Sequence, residues 1–176
     1  MKNIDTTKDF IPVNFAIATI SDTRKKENDK SGDILNKKIS ETGHEVVVRE
    51  IIPDDINEIE SFLLNQIKNN EVNVIITTGG TGLTGRDSTP EAVKNIIEKE
   101  IEGFGELFRT ISYEKIGASS LQSRAIAGIA KGTFIFSIPG SPSACIDAWE
   151  NILKFQLDNR FKPCNLIELI PRLLEK

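Results

Sequence analysis

The fold is decided by residues 72–93, Val-Asn-Val-Ile-Ile-Thr-Thr-Gly-Gly-Thr-Gly-Leu-Thr-Gly-Arg-Asp-Ser-Thr-Pro-Glu-Ala-Val. The first part, 72–78, is mostly apolar and β-branched, which is typical of a buried strand. The glycine-rich segment 79–85 then ends this pattern. Ser88 or Thr89, followed by proline, has the character of a helix start. The stretch therefore predicts a strand, a tight turn and a helix in immediate succession.

The glycine-rich turn predicts a loop that binds an anion. Glycine adopts positive φ and lets another molecule approach the main chain closely. The N–H groups of residues 79–82 would lie at the carboxyl end of a strand beside a helix N-terminus, a setting that attracts phosphate; the alternative is a plain strand-to-helix turn. Asp87 adds a negative charge, which a magnesium ion between acid and phosphate would neutralise. Mg²⁺-dependent phosphoryl or nucleotidyl chemistry is the first hypothesis.

Composition excludes several classes of protein. The chain has 176 residues, of which 39% are hydrophobic and 27% charged, enough for one domain with a real core. With a net charge of −4 and scattered basic residues, nothing indicates a nucleic-acid surface. No apolar run reaches the roughly 18 residues that span a bilayer, and the polar start does not resemble a secretory signal. We expect a cytoplasmic protein.

Histidine and cysteine chemistry is not expected. His44 is the only histidine, which excludes a histidine-based triad and makes a His-rich zinc site improbable. Cys145 and Cys164 lack metal-ligand spacing, so free thiols in a reducing cytosol are expected. The hypothesis of a generic P-loop NTPase is rejected, because no Gly-Lys-Ser/Thr follows the glycine turn.

Hydrophobic periodicity predicts alternating strands and helices. The predicted strands are 13–20, 45–52, 72–78 and 133–138. The predicted helices are 31–42, 56–68, 90–97, 102–113 and 142–158. Segment 122–129 reads as helix or irregular structure, and the apolar patch 166–174 must pack on its own domain or at an interface. The alternation predicts an α/β three-layer sandwich with a mainly parallel central sheet, as a single domain (13–176) after a flexible arm (1–12).

Four polar or glycine-rich segments fall at the ends of the predicted strands. They are Ser21-Asp22, Asp54-Asp55, Gly79–Gly82 and Pro139–Pro142. Because ligands bind outside the carboxyl ends of parallel strands, we expect these segments to meet at one binding edge.

An ordered set of motifs carries a resemblance to a known family. The motifs are Ser21-Asp22, Asp29-Lys-Ser31-Gly32, Pro53-Asp54-Asp55, Thr78–Ala92, Glu102–Glu106, Gln122–Ala125 and Pro139–Pro142. Over roughly residues 13–170 the chain resembles the molybdopterin adenylyltransferases, the MogA/MoaB group, whose fold also occurs in the G domain of gephyrin. Segments 104–109, 121–124 and 160–165 look most like the MoaB branch. The resemblance implies the molybdenum cofactor biosynthesis protein fold.

The resemblance also implies a reaction. Family members join AMP from ATP to the terminal phosphate of molybdopterin with Mg²⁺ and release pyrophosphate. Two essential aspartates are implied, matching Asp54 and Asp87, which would also hold the metal. Some members of the MoaB branch lack the Pro-Asp element, whereas this chain keeps it, which favours a working enzyme. The alternative is a molybdopterin-binding or assembly protein without turnover.

Candidate ligand-binding residues surround these two acids. They are Ser21, Asp22, Asp29, Ser31, Gly79, Gly80, Thr81, Gly82, Arg86, Ser123, Arg124, Pro139, Gly140 and Ser141. Simpler roles stay open for several of them. Ser31 is also a good helix N-cap, and so is Asp55, the residue after the candidate acid Asp54. Arg86 and Arg124 are equally compatible with solvation or pairing to a surface acid. The resemblance further implies a homotrimer, or a homohexamer in the MoaB branch.

Overall fold

The computed structural model describes residues 4–175, so the start of the predicted arm, 1–3, and residue 176 lie outside the described range. The strands are β1 (Asn14–Ile20), β2 (Glu45–Ile52), β3 (Val74–Thr78), β4 (Lys99–Glu100), β5 (Ile126–Ala130) and β6 (Thr133–Ile138). The α-helices are α1 (Lys30–Glu41), α2 (Ile56–Lys68), α3 (Thr89–Ile96), α4 (Glu102–Ile116), α5 (Pro142–Ala148) and α6 (Lys154–Gln156). Short 3₁₀ segments occupy Lys26–Asn28, Gly117–Gln122 and Ile167–Arg172, and Trp149–Leu153 forms a π-helical turn between α5 and α6.

The six strands form one sheet in the order β2-β1-β3-β6-β5-β4. The pairs β1–β2, β1–β3 and β3–β6 are parallel, whereas β5 pairs antiparallel with both β6 and β4. The predicted mainly parallel α/β sheet is thereby confirmed. Its four parallel strands all point their carboxyl ends to the same edge.

Alternation along the strands divides the core between the two faces of the sheet. Phe15 and Ile17 of β1 contact the core formed with α1, α4 and α5, whereas Ala16 and Ala18 contact the core formed with α2 and α3. Helices therefore cover both faces, which explains why β1, β3 and β6 are buried along almost their whole length, whereas the edge strand β2 is not. This is the predicted three-layer sandwich.

The second half of segment 122–129 differs from the prediction, because Ile126–Ala130 is strand β5 and not a helix or irregular structure. Lys131 and Gly132 have φ of 46° and 88° and join β5 to β6 as a two-residue hairpin turn. Such turns need positive φ at both positions. The small residues of β5 have low intrinsic strand preference. Pairing with β6 decides their conformation.

The two ends of the described chain lie against each other and against the domain. Ile4 forms an antiparallel bridge with Phe161, and Lys8 forms an ion pair with Glu168 at 2.5 Å. The apolar tail patch packs on its own domain, since Ile167 is buried in the α1–α4–α5 core. Flexibility of the arm and the single-domain division stay predictions. Within residues 4–175, no helix combines the length and apolar character that a bilayer crossing requires.

His44 is a buried core histidine. Nδ1 accepts a hydrogen bond from the N–H of Val13 at 3.2 Å, and the ring centroid lies 5.4 Å from that of Phe15. Burial lowers the pKa of His44 to about 4, although the Asp158 carboxylate and a hydrogen bond with the backbone of Leu157 oppose this shift. The imidazole is therefore neutral in the folded protein at neutral pH.

His44 should make the protein acid-sensitive. Because the unfolded chain binds the proton at pH 6.5 and the folded chain only near pH 4, stability is present above pH 6.5 and is lost as pH falls toward 4. The loss should reach about 3 kcal/mol. Urea unfolding at pH 7.5, 5.5 and 4.5 measures it. Since this is the only histidine, His44→Gln should remove most of the slope in this window, and an unchanged slope would contradict the assignment.

Candidate active site

The carboxyl ends of the parallel strands meet at one edge of the sheet through backbone contacts. The N–H of Ser21 donates to Ile52 O at 2.8 Å, and the N–H of Gly79 donates to Ile138 O at 3.0 Å. A Cβ on Gly140 would lie only 3.1 Å from Gly79 Cα. The four predicted segments therefore come together at this edge, and the Gly79–Gly82 and Pro139–Pro142 segments touch directly.

The glycine loop needs its glycines for steric reasons. Gly79 and Gly80 have φ of 111° and 63°, which disfavour any side chain. Among the described residues, no hydrogen-bond partner is found for the N–H groups of Gly80 and Thr81. Unpaired N–H groups beside the start of α3 are the donors that an anion requires. The predicted anion cradle thus rests on these two groups, because the N–H of Gly79 is already bonded within the sheet.

Asp87 closes the loop. Its Oδ2 accepts hydrogen bonds from Thr84 Oγ1 at 2.6 Å and Thr84 N at 2.9 Å. The Thr84 hydroxyl above all, helped by the N–H groups of Thr84 and Gly82 and by the charge of Arg124, holds the pKa of Asp87 below its usual value against the opposing effect of burial. The carboxylate is ionised at neutral pH and does not cap α3.

Asp54 and Asp55 have different roles although they are adjacent. Asp55 is the N-cap of α2, where Oδ1 accepts from Asn57 N at 2.9 Å, so the capping alternative holds. Asp54 points to the other side, where its Oδ1 accepts from the N–H and hydroxyl of Ser88 at 3.1 and 2.9 Å. Asp54 therefore joins the Pro-Asp-Asp segment to the start of α3.

The two candidate catalytic acids flank the same loop. A Cβ on Gly80 would lie 2.8 Å from Asp54 Oδ2, and a Cβ on Gly82 would lie 2.7 Å from Asp87 Oδ2. Both acids also line one open, polar cavity of about 580 Å³. Their positions meet the requirement of the sequence hypothesis that both carboxylates share a rim.

A second cavity of about 430 Å³ adjoins the first at Asp87. The glycine loop, Ser123 and segment 139–141 line it on one side, and residues of α4 and α5 on the other. Asp87 is the lining residue that the two cavities have in common, so they lie side by side at the rim.

The two acids suit Mg²⁺ better than a metal ion that needs all its ligands from the protein. Within residues 4–175, no three His, Cys, Asp or Glu side chains converge on one point. Magnesium binds through one or two carboxylates and completes its shell with water and substrate phosphates. Hydrogen bonds from Ser88 fall on Oδ1 of Asp54 and those from Thr84 on Oδ2 of Asp87, which leaves a second oxygen on each acid.

Both candidate arginines are engaged within the protein. Arg86 pairs with Asp22, whose Oδ1 also accepts from Asp54 N at 3.1 Å. Arg124 pairs with Glu91 and donates to two loop carbonyls, Gly82 O at 2.6 Å and Asp87 O at 2.7 Å. Arg124 thereby holds the glycine loop in shape, and Arg86 bridges the rim.

Asp29 lies beneath the rim with no exposed surface. It caps α1 by accepting from Gly32 N at 3.0 Å, and it also accepts from Thr19 Oγ1 at 3.0 Å and Arg49 Nη2 at 2.8 Å. Burial would raise the pKa of Asp29, but the hydrogen bonds from Arg49, Gly32 and Thr19 outweigh it and lower the pKa. In this arrangement Asp29 supports the site from below.

Ser31 is likewise buried and is not the cap of α1. Its hydroxyl donates to Gly140 O at 2.9 Å, and Arg24 Nη2 donates to the same oxygen at 2.7 Å. Ser21 Oγ accepts from Arg24 N at 3.2 Å. These contacts fix segment 139–141, whose Ser141 caps α5 by accepting from Ala144 N at 3.2 Å.

Sequence reasoning missed the wall that α4 and α5 contribute. Lys115 and Asp147 form an ion pair there and both line the 430 Å³ cavity. Their neighbours Phe108 and Ser112 line it too. The helical spacing 108, 112 and 115 was visible in the sequence, but nothing local shows which face of α4 borders a cavity.

Comparison with known proteins places the chain in a family. A family model described as a probable molybdopterin binding domain matches residues 16–159. The chain belongs to this molybdopterin-binding domain family. The resemblance inferred from the sequence motifs is thereby confirmed.

Individual relatives align with most of the chain. Molybdenum cofactor biosynthesis protein B of Escherichia coli (strain K12) is 48% identical over 157 residues, 89% of this chain and 92% of that protein. A protein of Methanocaldococcus jannaschii named probable molybdopterin adenylyltransferase is 42% identical over 140 residues, 76% of this chain and 83% of that one. A crystal structure of molybdenum cofactor biosynthesis protein B superposes with a TM-score of 0.83 at 44% identity, over 85% of this chain and 94% of that chain.

Proposed function

We propose that this member of the molybdopterin-binding domain family is a molybdopterin adenylyltransferase of molybdenum cofactor biosynthesis. The observation that carries the proposal is the placement of Asp54 and Asp87 on either side of a glycine loop in which the N–H groups of Gly80 and Thr81 have no partner within residues 4–175. The relative named as an adenylyltransferase supports the reaction class. The proposal includes ATP as the donor of AMP and Mg²⁺ as the metal ion.

The chemistry requires alignment of anions and no protein nucleophile. An oxygen of the terminal phosphate of molybdopterin attacks the α-phosphorus of ATP. A new phosphorus–oxygen bond forms, the bond between the α-phosphorus and the oxygen bridging to the β-phosphorus breaks, and pyrophosphate leaves. Asp54 and Asp87 would hold Mg²⁺, which when bound neutralises phosphate charge and stabilises the leaving group. The N–H groups of Gly80 and Thr81 would orient one phosphate.

Pyrophosphate release tests this function against a binding protein without turnover. The protein is incubated with ATP, molybdopterin and Mg²⁺, and pyrophosphate is measured together with adenylylated molybdopterin. We expect equal amounts of both products. Tight binding of molybdopterin with neither product would favour the assembly-protein alternative.

Lys115 should contribute to binding of only one substrate, because it lies in only one of the two cavities. Replacing it by methionine removes one charge-assisted hydrogen bond, so we expect the KM of that substrate to rise about tenfold. The KM of the other substrate should change little. The melting temperature should fall, because Asp147 is only 7% exposed and loses its ion-pair partner. Unchanged KM values for both ATP and molybdopterin would show that the cavity holds neither.

An oligomer is the expected assembly, a homotrimer or homohexamer. Large apolar side chains are exposed on α4 and the following 3₁₀ segment: Tyr113 is 63% exposed, Ile116 58% and Leu121 84%. Such a patch supports an interaction surface. Light scattering at micromolar concentration should give three or six times 19.5 kDa, and a monomeric mass would refute the assembly.

A further inference from the structure

Arg24, in the loop after β1, joins three parts of the candidate site. Its Nη2 donates to Gly140 O at 2.7 Å, and its Nη1 donates to Ser31 Oγ at 2.9 Å. Its backbone N–H donates to Ser21 Oγ at 3.2 Å. One residue thereby connects the loop after β1, the start of α1 and the segment after β6. Arg24 is not among the candidate residues that the sequence motifs indicated.

The charge of Arg24 lies beside the fully buried carboxylate of Asp29. Arg24 Nη1 is 3.7 Å from Asp29 Oδ1, and Arg49 Nη2 is 2.8 Å from Asp29 Oδ2. A buried carboxylate needs a cation nearby, so Asp29 keeps the guanidinium of Arg24 in this place. Only 28% of the Arg24 side chain is exposed. Its charge-assisted hydrogen bonds are therefore stronger than they would be on an open surface.

The carbonyl of Gly140 is the point through which Arg24 reaches the site. Gly140 packs on the glycine loop, since a Cβ on Gly140 would lie 3.1 Å from Gly79 Cα. Residues 79–82 and 139–141 line the 430 Å³ cavity and not the 580 Å³ cavity, and Arg24 itself lines neither. A displacement of Gly140 would therefore change the shape of one cavity and spare the other.

We propose that Arg24 is a positioning residue, which holds Gly140 against the glycine loop and thereby sets the affinity of the 430 Å³ cavity for its substrate. The inference rests on the proposed function, because it takes one reactant of the adenylyl transfer to occupy this cavity. A wall that is already ordered spares the ligand the cost of ordering it. Without Arg24, the hydroxyl of Ser31, which donates to Gly140 O at 2.9 Å, would hold this carbonyl alone.

Calorimetric titration with ATP and with molybdopterin, each added alone in the presence of Mg²⁺, tests the inference. Arg24→Met should raise the Kd of one of the two ligands about tenfold and leave the Kd of the other unchanged. The weakened ligand should be the one that Lys115→Met also weakens, because Lys115 lines the same cavity. Unchanged affinity for both ligands, equal weakening of both, or weakening of different ligands by the two variants would overturn the inference.

Arg49→Met is the matched control, because Arg49 pairs with the same buried Asp29 while its other ion pair is with Asp33. Both variants should lower the melting temperature, since each removes a cation beside a buried carboxylate. Only Arg24→Met should change a Kd. An equal loss of affinity in Arg49→Met would mean that unpairing Asp29 is sufficient, and the positioning role of Arg24 would be wrong.

Two further variants keep the test decisive if Arg24→Met does not fold. Arg24→Lys keeps the charge beside Asp29, but an ammonium lacks the planar fork of donors, so we expect a rise of about threefold in the same Kd. Arg24→Ala should regain affinity for that ligand when guanidinium chloride is added at a non-denaturing concentration, and sodium chloride at the same concentration should not restore it. Wild-type affinity in Arg24→Lys, or no rescue by guanidinium, would contradict the inference.

Pyrophosphate release separates this inference from the proposed function. If the unmodified protein binds both ligands but releases no pyrophosphate, the proposed enzyme function fails, and the Kd values still decide the role of Arg24. Pyrophosphate release together with unaltered Kd values in the Arg24 variants would overturn the inference and leave the enzyme function intact. Failure of the unmodified protein to bind either ligand would overturn both.

Discussion

Asp87→Asn is expected to lower kcat for pyrophosphate release by about a thousandfold, the scale of losing one preorganised electrostatic group. Asp54→Asn should have an effect of similar size. In the proposed mechanism, each change removes one of the two charges that would hold Mg²⁺ between the phosphates. Because both acids would act on the same ion, the double variant should be hardly slower than either single variant. The measurement is steady-state pyrophosphate release at saturating ATP and molybdopterin.

Asp55→Asn is the matched control for these variants. Asp55 is next to Asp54 in sequence, but its carboxylate caps α2. Asparagine caps helices about as well as aspartate. We therefore expect nearly unchanged kcat and melting temperature. If the Asp54, Asp87 double variant released pyrophosphate as fast as the unmodified protein, the carboxylate pair would have no part in catalysis.

Gly79→Ala should be the most destabilising single-methyl change in the loop. Its φ of 111° is unfavourable for alanine, and the added Cβ would lie 2.3 Å from the backbone oxygen of Ile20. That oxygen belongs to β1 and cannot move away without breaking the sheet. We expect a loss of about 2–4 kcal/mol in the free energy of unfolding, measured by urea denaturation.

Gly85→Ala provides the comparison within the same segment. Gly85 does not have positive φ, and a Cβ there would meet no atom within 4 Å. The change should therefore alter stability by less than about 0.5 kcal/mol. If the two substitutions lowered the free energy of unfolding equally, the loop would have a different backbone conformation in solution, and the steric argument for Gly79 would be wrong.

Local patterns were sufficient to predict most of the fold. Helix α2 and strands β2 and β6 begin and end where apolar periodicity and flanking Pro, Asp or Gly place them. Strand β5 was missed because its alanines and glycine favour no strand by themselves. Its conformation comes from hydrogen bonds to β6, which local patterns do not encode.

Local patterns indicated only part of the candidate site, because some of its contacts form between residues that are distant in the sequence. The glycine loop and the acidic strand ends follow from residue type and from the rule that parallel strands expose their carboxyl ends together, whereas the choice of Asp54 and Asp87 as the essential pair rests on the family resemblance. Sequence could not assign Asp29 and Ser31, which are candidate ligands by motif but lie buried beneath the rim. It also missed Lys115, because its face of α4 depends on how that helix packs across the sheet.

The amino-acid order by itself determined the strand–turn–helix unit at residues 72–93 and the mainly parallel sheet, since these depend on side-chain periodicity and on the backbone freedom of glycine. Only the tertiary structure decided that Asp54 reaches α3 while Asp55 caps α2, and that Arg124 braces the loop. The physical reason is that a hydrogen bond depends on distances between atoms far apart in the chain. Those distances are fixed only when the helices pack on the sheet.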